Sequence, residues 1–213
     1  MRVTMMPACE SAGMDFRRAY RSAAVSFADL VTRLPDDRWD APGLGEWSLR
    51  DLVGHTVDSA LRGVPDVLGS TAESLAADSP EGYWVVARAT PPSLSIPGPS
   101  DGVADLIGRA TATLATVGDA DVVDTPIGGM RVRDWLPTRT FELVVHGMDV
   151  AAAAGVEYHL TPAVLAEAAA LSARIAVAAG DGSLVLRALT GRGTLPPGFS
   201  VVSSSVSPSD ESP

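Results

Sequence analysis

The run Phe-Glu-Leu-Val-Val-His-Gly-Met-Asp-Val, residues 141–150, sets a glutamate and a histidine four residues apart in an otherwise apolar stretch. In a helix, residues i and i+4 share a face, so Glu142 and His146 point the same way, with Arg139 and Asp149 three residues to either side. Leu143, Val144, Val145 and Val150 supply apolar surface around them. A carboxylate beside a helical core is costly unless it is paired or bound to a metal.

A second stretch, residues 46–60, offers a partner. His55 stands among Leu52, Val53 and Val57, with Asp51 at i−4 and Asp58 at i+3. If the two helices face each other, His55, Glu142 and His146 converge. Two imidazoles and one carboxylate hold a divalent cation and leave a position open for water or substrate, the pattern of a catalytic site. The set suits zinc, and also nickel, iron or manganese. Asp58 and Asp149 are candidates to orient an imidazole N–H, or are ordinary surface acids. Arg139 is a candidate to bind a substrate carboxylate, or to pair with Glu142. Taken alone, the Glu142/His146 pair also fits a solvated helix face, and His55 a satisfied core histidine. The third histidine, His159, reads as a loop residue after Tyr158.

Four long helical patterns must position these groups. Phe16, Tyr20, Phe27, Leu30 and Val31 fall at helical spacings within residues 10–34, and "LPDDRWDAPGLGEW" breaks the pattern. Ser48, with Asp51 three residues on, is close to a capping box and opens a second helix that runs through Leu61, to end before Pro65 or continue to Leu68. A short helix is expected over residues 71–77, then a loop in the Pro- and Ser-rich residues 89–102. Asp101 is expected to cap a third helix over residues 102–117. "TPIGGMRV" reads as a hairpin with Gly128-Gly129 at the turn. A fourth helix spans residues 133–154, with Pro137 in its first turn and Gly155 as its stop. Thr161-Pro162 starts a further helix that ends at Gly180, and "SLVLRALTGR" reads as a short strand. The pattern predicts an all-α, antiparallel four-helix bundle with a small hairpin and a short C-terminal helix or strand, one domain over residues 1–202, and a disordered polar tail over 203–213.

Composition narrows the function classes. Of 213 residues, 46% are apolar and only 5% aromatic, so the core is built mainly from Ala, Val and Leu. All basic residues are arginine, and lysine, asparagine and glutamine are missing, the mark of a high-GC genome. The formal charge of −10 argues against a phosphate backbone as partner. There is no basic amphipathic stretch for a membrane surface, no apolar run of spanning length and no apolar core of a signal peptide in "MRVTMMPACESAG". The one cysteine, Cys9, cannot form an internal disulfide, and a cytoplasmic protein is expected. The partner is a small-molecule substrate, with a homodimer also expected of a small bundle.

"GEWSLRDLVGHTVDSA", "GGMRVRDWLPTRTFELVVHGMDVAAAAG" and "LVLRALTGRGTLPPGFSVV" resemble the mycothiol-dependent maleylpyruvate isomerase family, part of the DinB-like group of metal-binding four-helix bundles. The run from Trp47 to His55 resembles the group's second-helix signature, and that from Arg139 to Asp149 its fourth-helix signature. The resemblance covers residues 15–202. It implies a zinc-type site on His55, Glu142 and His146, with mycothiol, a thiol of actinobacteria, as co-substrate. The isomerases of the family carry a second, C-terminal domain; here the sequence passes into "SSSVSPSDESP", and nothing is carried over from that domain.

The implied reaction is thiol transfer or isomerisation of a small electrophile through a metal-bound thiolate, since a cation favours thiolate over thiol. The alternatives are an amidase-type hydrolase that activates water at the same three ligands, and a non-catalytic binding or regulatory bundle stabilised by metal.

Overall fold

Side-chain caps decide where the main helices begin. In the computed structural model, which describes residues 15–88 and 102–202, Asp15 accepts from the Arg17 N–H at 3.1 Å and opens α1 (Phe16–Thr32). The expected start of this helix at residue 10, and Cys9, lie outside the described residues. Ser48 and Asp51 form the reciprocal capping box at the head of α2 (Leu49–Val57), with N–H donors at 3.2 and 3.1 Å.

α2 does not run on as an α-helix. Residues Asp58–Arg62 form a π-helical segment, and a short α3 (Val64–Leu68) follows with Pro65 in its first turn. The helix expected over residues 71–77 is not there. This stretch lies along the hairpin instead: the Ala72 N–H donates to Val122 O (3.1 Å) and the Ala76 N–H to Gly129 O (2.7 Å). Backbone donors taken up by a strand cannot close helical turns. The sequence reading also missed α4 (Pro80–Ala87), capped by Ser79 through the Gly82 N–H at 3.2 Å. α5 (Val103–Leu114) follows; Asp101, the 89–101 part of the expected loop and the 203–213 tail lie outside the described residues.

Strands β1 (Val122–Thr125) and β2 (Gly128–Arg131) pair antiparallel with Thr125 opposite Gly128. The turn is therefore Pro126-Ile127, not Gly128-Gly129. The two glycines serve the layer beneath: Gly128 has a positive φ of 104°, and a Cβ on Gly129 would sit 2.0 Å from the Ser74 carbonyl oxygen. They let residues 72–76 pass close against β2.

α6 (Val132–Ala154) is the longest element and ends as expected at Gly155, at φ 71° in the left-handed region. It begins early enough that Pro137 falls inside it, beyond the first turn. Pro137 has no N–H to offer the Arg133 carbonyl, and the helix carries on past that gap because both its faces are packed. α7 (Pro162–Ala178) has the expected Thr161 cap and Pro162 start. The last element, α8 (Gly182–Leu189), is a helix where a strand was a reading of the sequence. Its Leu- and Ala-rich run closes helical turns locally, and it packs on α7.

The fold is mostly helical with one small two-stranded sheet. α6 forms its axis: α1, α2, α4 and α7 all pack on it, and α1 also meets α5 and α7. One core cluster joins Tyr20, Phe27 and Leu30 of α1 to Leu49 and Leu52 of α2, Leu106 and Leu114 of α5, and Trp135, Leu136 and Leu143 of α6. Among the described residues no helix is long and apolar enough to cross a membrane.

Candidate metal centre

The α2–α6 contact brings His55, Glu142 and His146 together, with one donor atom from each within 4.8 Å of the others. Helical spacing places the two α6 donors on one face: His146 Nε2 lies 3.1 Å from Glu142 Oε2. The third comes from α2. The His55 ring stands edge-on to His146, at 5.2 Å between centroids and 83° between planes. It also meets Trp47, at 4.8 Å between centroids.

Glu142 is 8% exposed. Burial pushes its carboxyl up, but His146, the Arg139 charge and His55 together outweigh that and hold it below the usual carboxylate range. Oε2 nevertheless accepts no aligned hydrogen bond, despite its ion-pair distance to His146. In this arrangement the His146 imidazolium balances the buried carboxylate, and a divalent cation would take the same oxygen in its place.

His55 is pushed below its ordinary value, chiefly by burial, and stays neutral with a lone pair to give. His146 behaves oppositely. Burial lowers it, but the contacts with Asp149 and Glu142 win, and it is pushed up to about 9. Its Nδ1 is 3.2 Å from Asp149 Oδ2, an orienting contact of the kind raised in the sequence. With Nδ1 engaged by Asp149, Nε2 faces Glu142.

The remaining candidates go elsewhere. Asp58 pairs with Arg62 of its own helix at 3.2 Å. Burial raises its carboxyl and Arg62 opposes the rise. Arg139 is 4% exposed and makes no ion pair with Glu142; its Nη1 donates to Ser59 O at 3.1 Å and its Nε to Thr138 Oγ1 at 3.1 Å. Its guanidinium lies against the rings of Tyr83 (4.9 Å) and Trp135 (5.7 Å). His159 is exposed, 3.9 Å from Glu157. A cleft between α1, α6 and α7, lined by Phe16, Ala19, Thr140, Phe141 and Leu171, contains none of the three donors.

Sequence reasoning passed over the pairing of Tyr158 with Gly147, the residue after His146. Tyr158 donates its hydroxyl to Leu143 O at 3.0 Å, and its ring crosses α6 at Gly147, where a Cβ would lie 2.4 Å from Tyr158 Cε1. A glycine directly after a helical histidine was the available signal.

Residues 20–151 match the family described as the mycothiol maleylpyruvate isomerase N-terminal domain. The chain belongs to this family. No curated protein and no solved structure matches it. The part shared with the mycothiol maleylpyruvate isomerase N-terminal domain begins at Tyr20 in α1 and ends at Ala151 in α6. It contains His55, Glu142 and His146 together with Asp58, Arg139 and Asp149, while α7 and α8 lie beyond it. In this member of the family the donor set fits a divalent cation: one neutral imidazole, a second whose far nitrogen is hydrogen-bonded, and an ionised, buried carboxylate.

Proposed function

We propose that this protein holds a divalent cation, zinc by donor preference, among His55, Glu142 and His146, and uses it on a thiol co-substrate, mycothiol, in transfer to or isomerisation of a small electrophile in the cytoplasm. The observation that carries the reading is the convergence of His55, Glu142 and His146 from two helices, with one donor atom from each within 4.8 Å of the others. Family membership supports the thiol. We also read α1, α2 with its π continuation, α5 and α6 as an antiparallel four-helix bundle of DinB type; the contacts of α1 with α5 and α6, and of α2 with α6, support this.

A cation held by three protein groups supplies Lewis acidity and favours the ionised form of a thiol at its free position. The chain's own residues do the rest. Glu142 offsets one unit of the cation's charge. Asp149 holds the His146 ring so that Nε2 stays directed at the cluster. Trp47 lies against the His55 ring, with 4.8 Å between centroids.

The test is elemental analysis of the purified protein beside His55→Ala and Glu142→Ala, followed by turnover of electrophiles with and without mycothiol. Roughly one metal per chain, lost in both variants, with turnover only when thiol is present, is the expected result. Full metal in either variant sinks the site. Turnover without thiol moves the protein to the hydrolases.

A further inference from the structure

The helix that carries His55 changes its hydrogen-bond register three residues after that histidine. Over Asp58–Arg62 the backbone is π-helical, and the Gly63 N–H reaches back five residues to Asp58 O at 3.1 Å. A π turn is a strained insertion that persists only where its surroundings hold it, and such turns concentrate at functional sites.

Pro65 removes one means of closing it. Lacking an N–H, it can serve neither the Leu61 carbonyl in an α register nor the Ala60 carbonyl in a π register. Side chains from two other helices supply donors instead. Tyr20 of α1, fully buried, donates its hydroxyl to Ala60 O at 2.8 Å. Arg139 of α6 donates Nη1 to Ser59 O at 3.1 Å. Two buried side chains thus hold two consecutive carbonyls in the turn that follows His55.

Arg139 is itself fixed, by Thr138 Oγ1 at Nε and by the rings of Tyr83 and Trp135. It also sits three residues before Glu142 on the helix that carries the other two donors. The bond that pins the π segment is therefore anchored to the frame that positions Glu142 and His146. If that bond is lost, α2 can slide or rotate against α6, and a rotation of one helical residue turns a side chain by about 100°.

We propose that Tyr20 and Arg139 are positioning residues: they lock the π turn after His55 and so aim its imidazole at Glu142 and His146. The proposal rests on the metal reading only for what the imidazole is aimed at. The orientation itself is read out in protein stripped of metal.

The test compares the full chain with Tyr20→Phe, which deletes one oxygen atom, and Arg139→Lys, which keeps the charge but loses the forked geometry. Val164→Ala on α7 removes buried volume from another element and is the control for simple loss of stability. The first readout is the imidazole proton and nitrogen spectrum of the metal-free proteins. His55 lies against two rings, so its shifts report its orientation, while exposed His159 serves as an internal standard. The second readout is cobalt(II) affinity and its visible absorption.

The expected result is that His55 signals move in both clamp variants and that His159 signals do not. Cobalt affinity falls about tenfold or more in both, the range for residues that orient a ligand, while Val164→Ala lowers the melting temperature and leaves both readouts in place. Unmoved His55 signals in folded Tyr20→Phe overturn the proposal, as do equal shifts in Val164→Ala. Should Arg139→Lys fail to fold, Tyr20→Phe decides alone. If the unaltered protein takes up no cobalt, the metal reading falls, and the histidine spectra still decide the clamp.

Discussion

Asp149 Oδ2 lies 3.2 Å from His146 Nδ1, one turn further along α6, and it is the hydrogen bond that gives the two nitrogens of this imidazole different roles. With Nδ1 engaged, Nε2 faces Glu142. Asp149→Ala frees the ring to turn and removes the charge that supports its basicity. The expected outcome is a metal affinity lower by about 10- to 100-fold, with the helix content unchanged, read by competition with a chromophoric chelator. Equal affinity would show that the pair is only a helix-surface contact.

Metal removal has a thermodynamic signature. A cation that binds the folded chain and not the unfolded one stabilises by RT ln(1 + [M]/Kd), about 4 kcal/mol at a thousandfold excess over Kd. The melting temperature should fall on adding a strong chelator and return with zinc. In Glu142→Ala, melting should not respond to either addition. A chelator response in that variant would place the metal elsewhere.

The metal-free protein should also show a pH dependence with a defined sign. His146 is held at about 9 in the folded state, above the roughly 6.5 of an unfolded chain. A raised pKa means that the imidazolium's pairing with Asp149 and Glu142 stabilises the fold fully below pH ~6.5, and that this contribution is lost as pH rises through about 9. The difference in stability between the parent and His146→Gln should therefore shrink over that interval. A difference that grows with pH contradicts the assignment. Bound cation competes for the same nitrogen, so metal affinity should rise over the same range.

Gly147 is predicted to be intolerant of even one methyl group. A Cβ there would lie 2.4 Å from the Tyr158 ring, which is itself tied to Leu143 O. Gly147→Ala should cost about 1–3 kcal/mol by overpacking, although alanine is the better helix former. Chemical denaturation of Gly147→Ala, Tyr158→Ala and the double variant tests the cause. Once Tyr158 is gone, Gly147→Ala should cost little or become stabilising. Additive losses would mean that the ring is not what the methyl meets.

Reading the chain alone went far for whatever a few consecutive residues decide. The Ser48/Asp51 box, the Thr161-Pro162 start and the Gly155 stop are where they were expected, because each satisfies backbone groups within one turn. The shared face of Glu142 and His146, and the contact with Asp149, follow from the 3.6-residue period in the same way. Longer-range contacts defeated the same reasoning. Residues 71–77 look helical until β1 and β2 claim their N–H groups, and Gly128-Gly129 looks like a turn until the backbone at Ser74 is seen against it.

The amino-acid order thus determined which side chains could share a helix face and where α2 and α7 are capped and α6 stops, since those are properties of a single rod. Only the tertiary structure decided that His55 on α2 turns toward Glu142 and His146 on α6, that Arg139 faces Ser59 and not Glu142, and that Tyr20 reaches Ala60. Those outcomes depend on how separate rods rotate against one another as the core closes, a quantity set by packing across the whole chain and not by the period of any one helix.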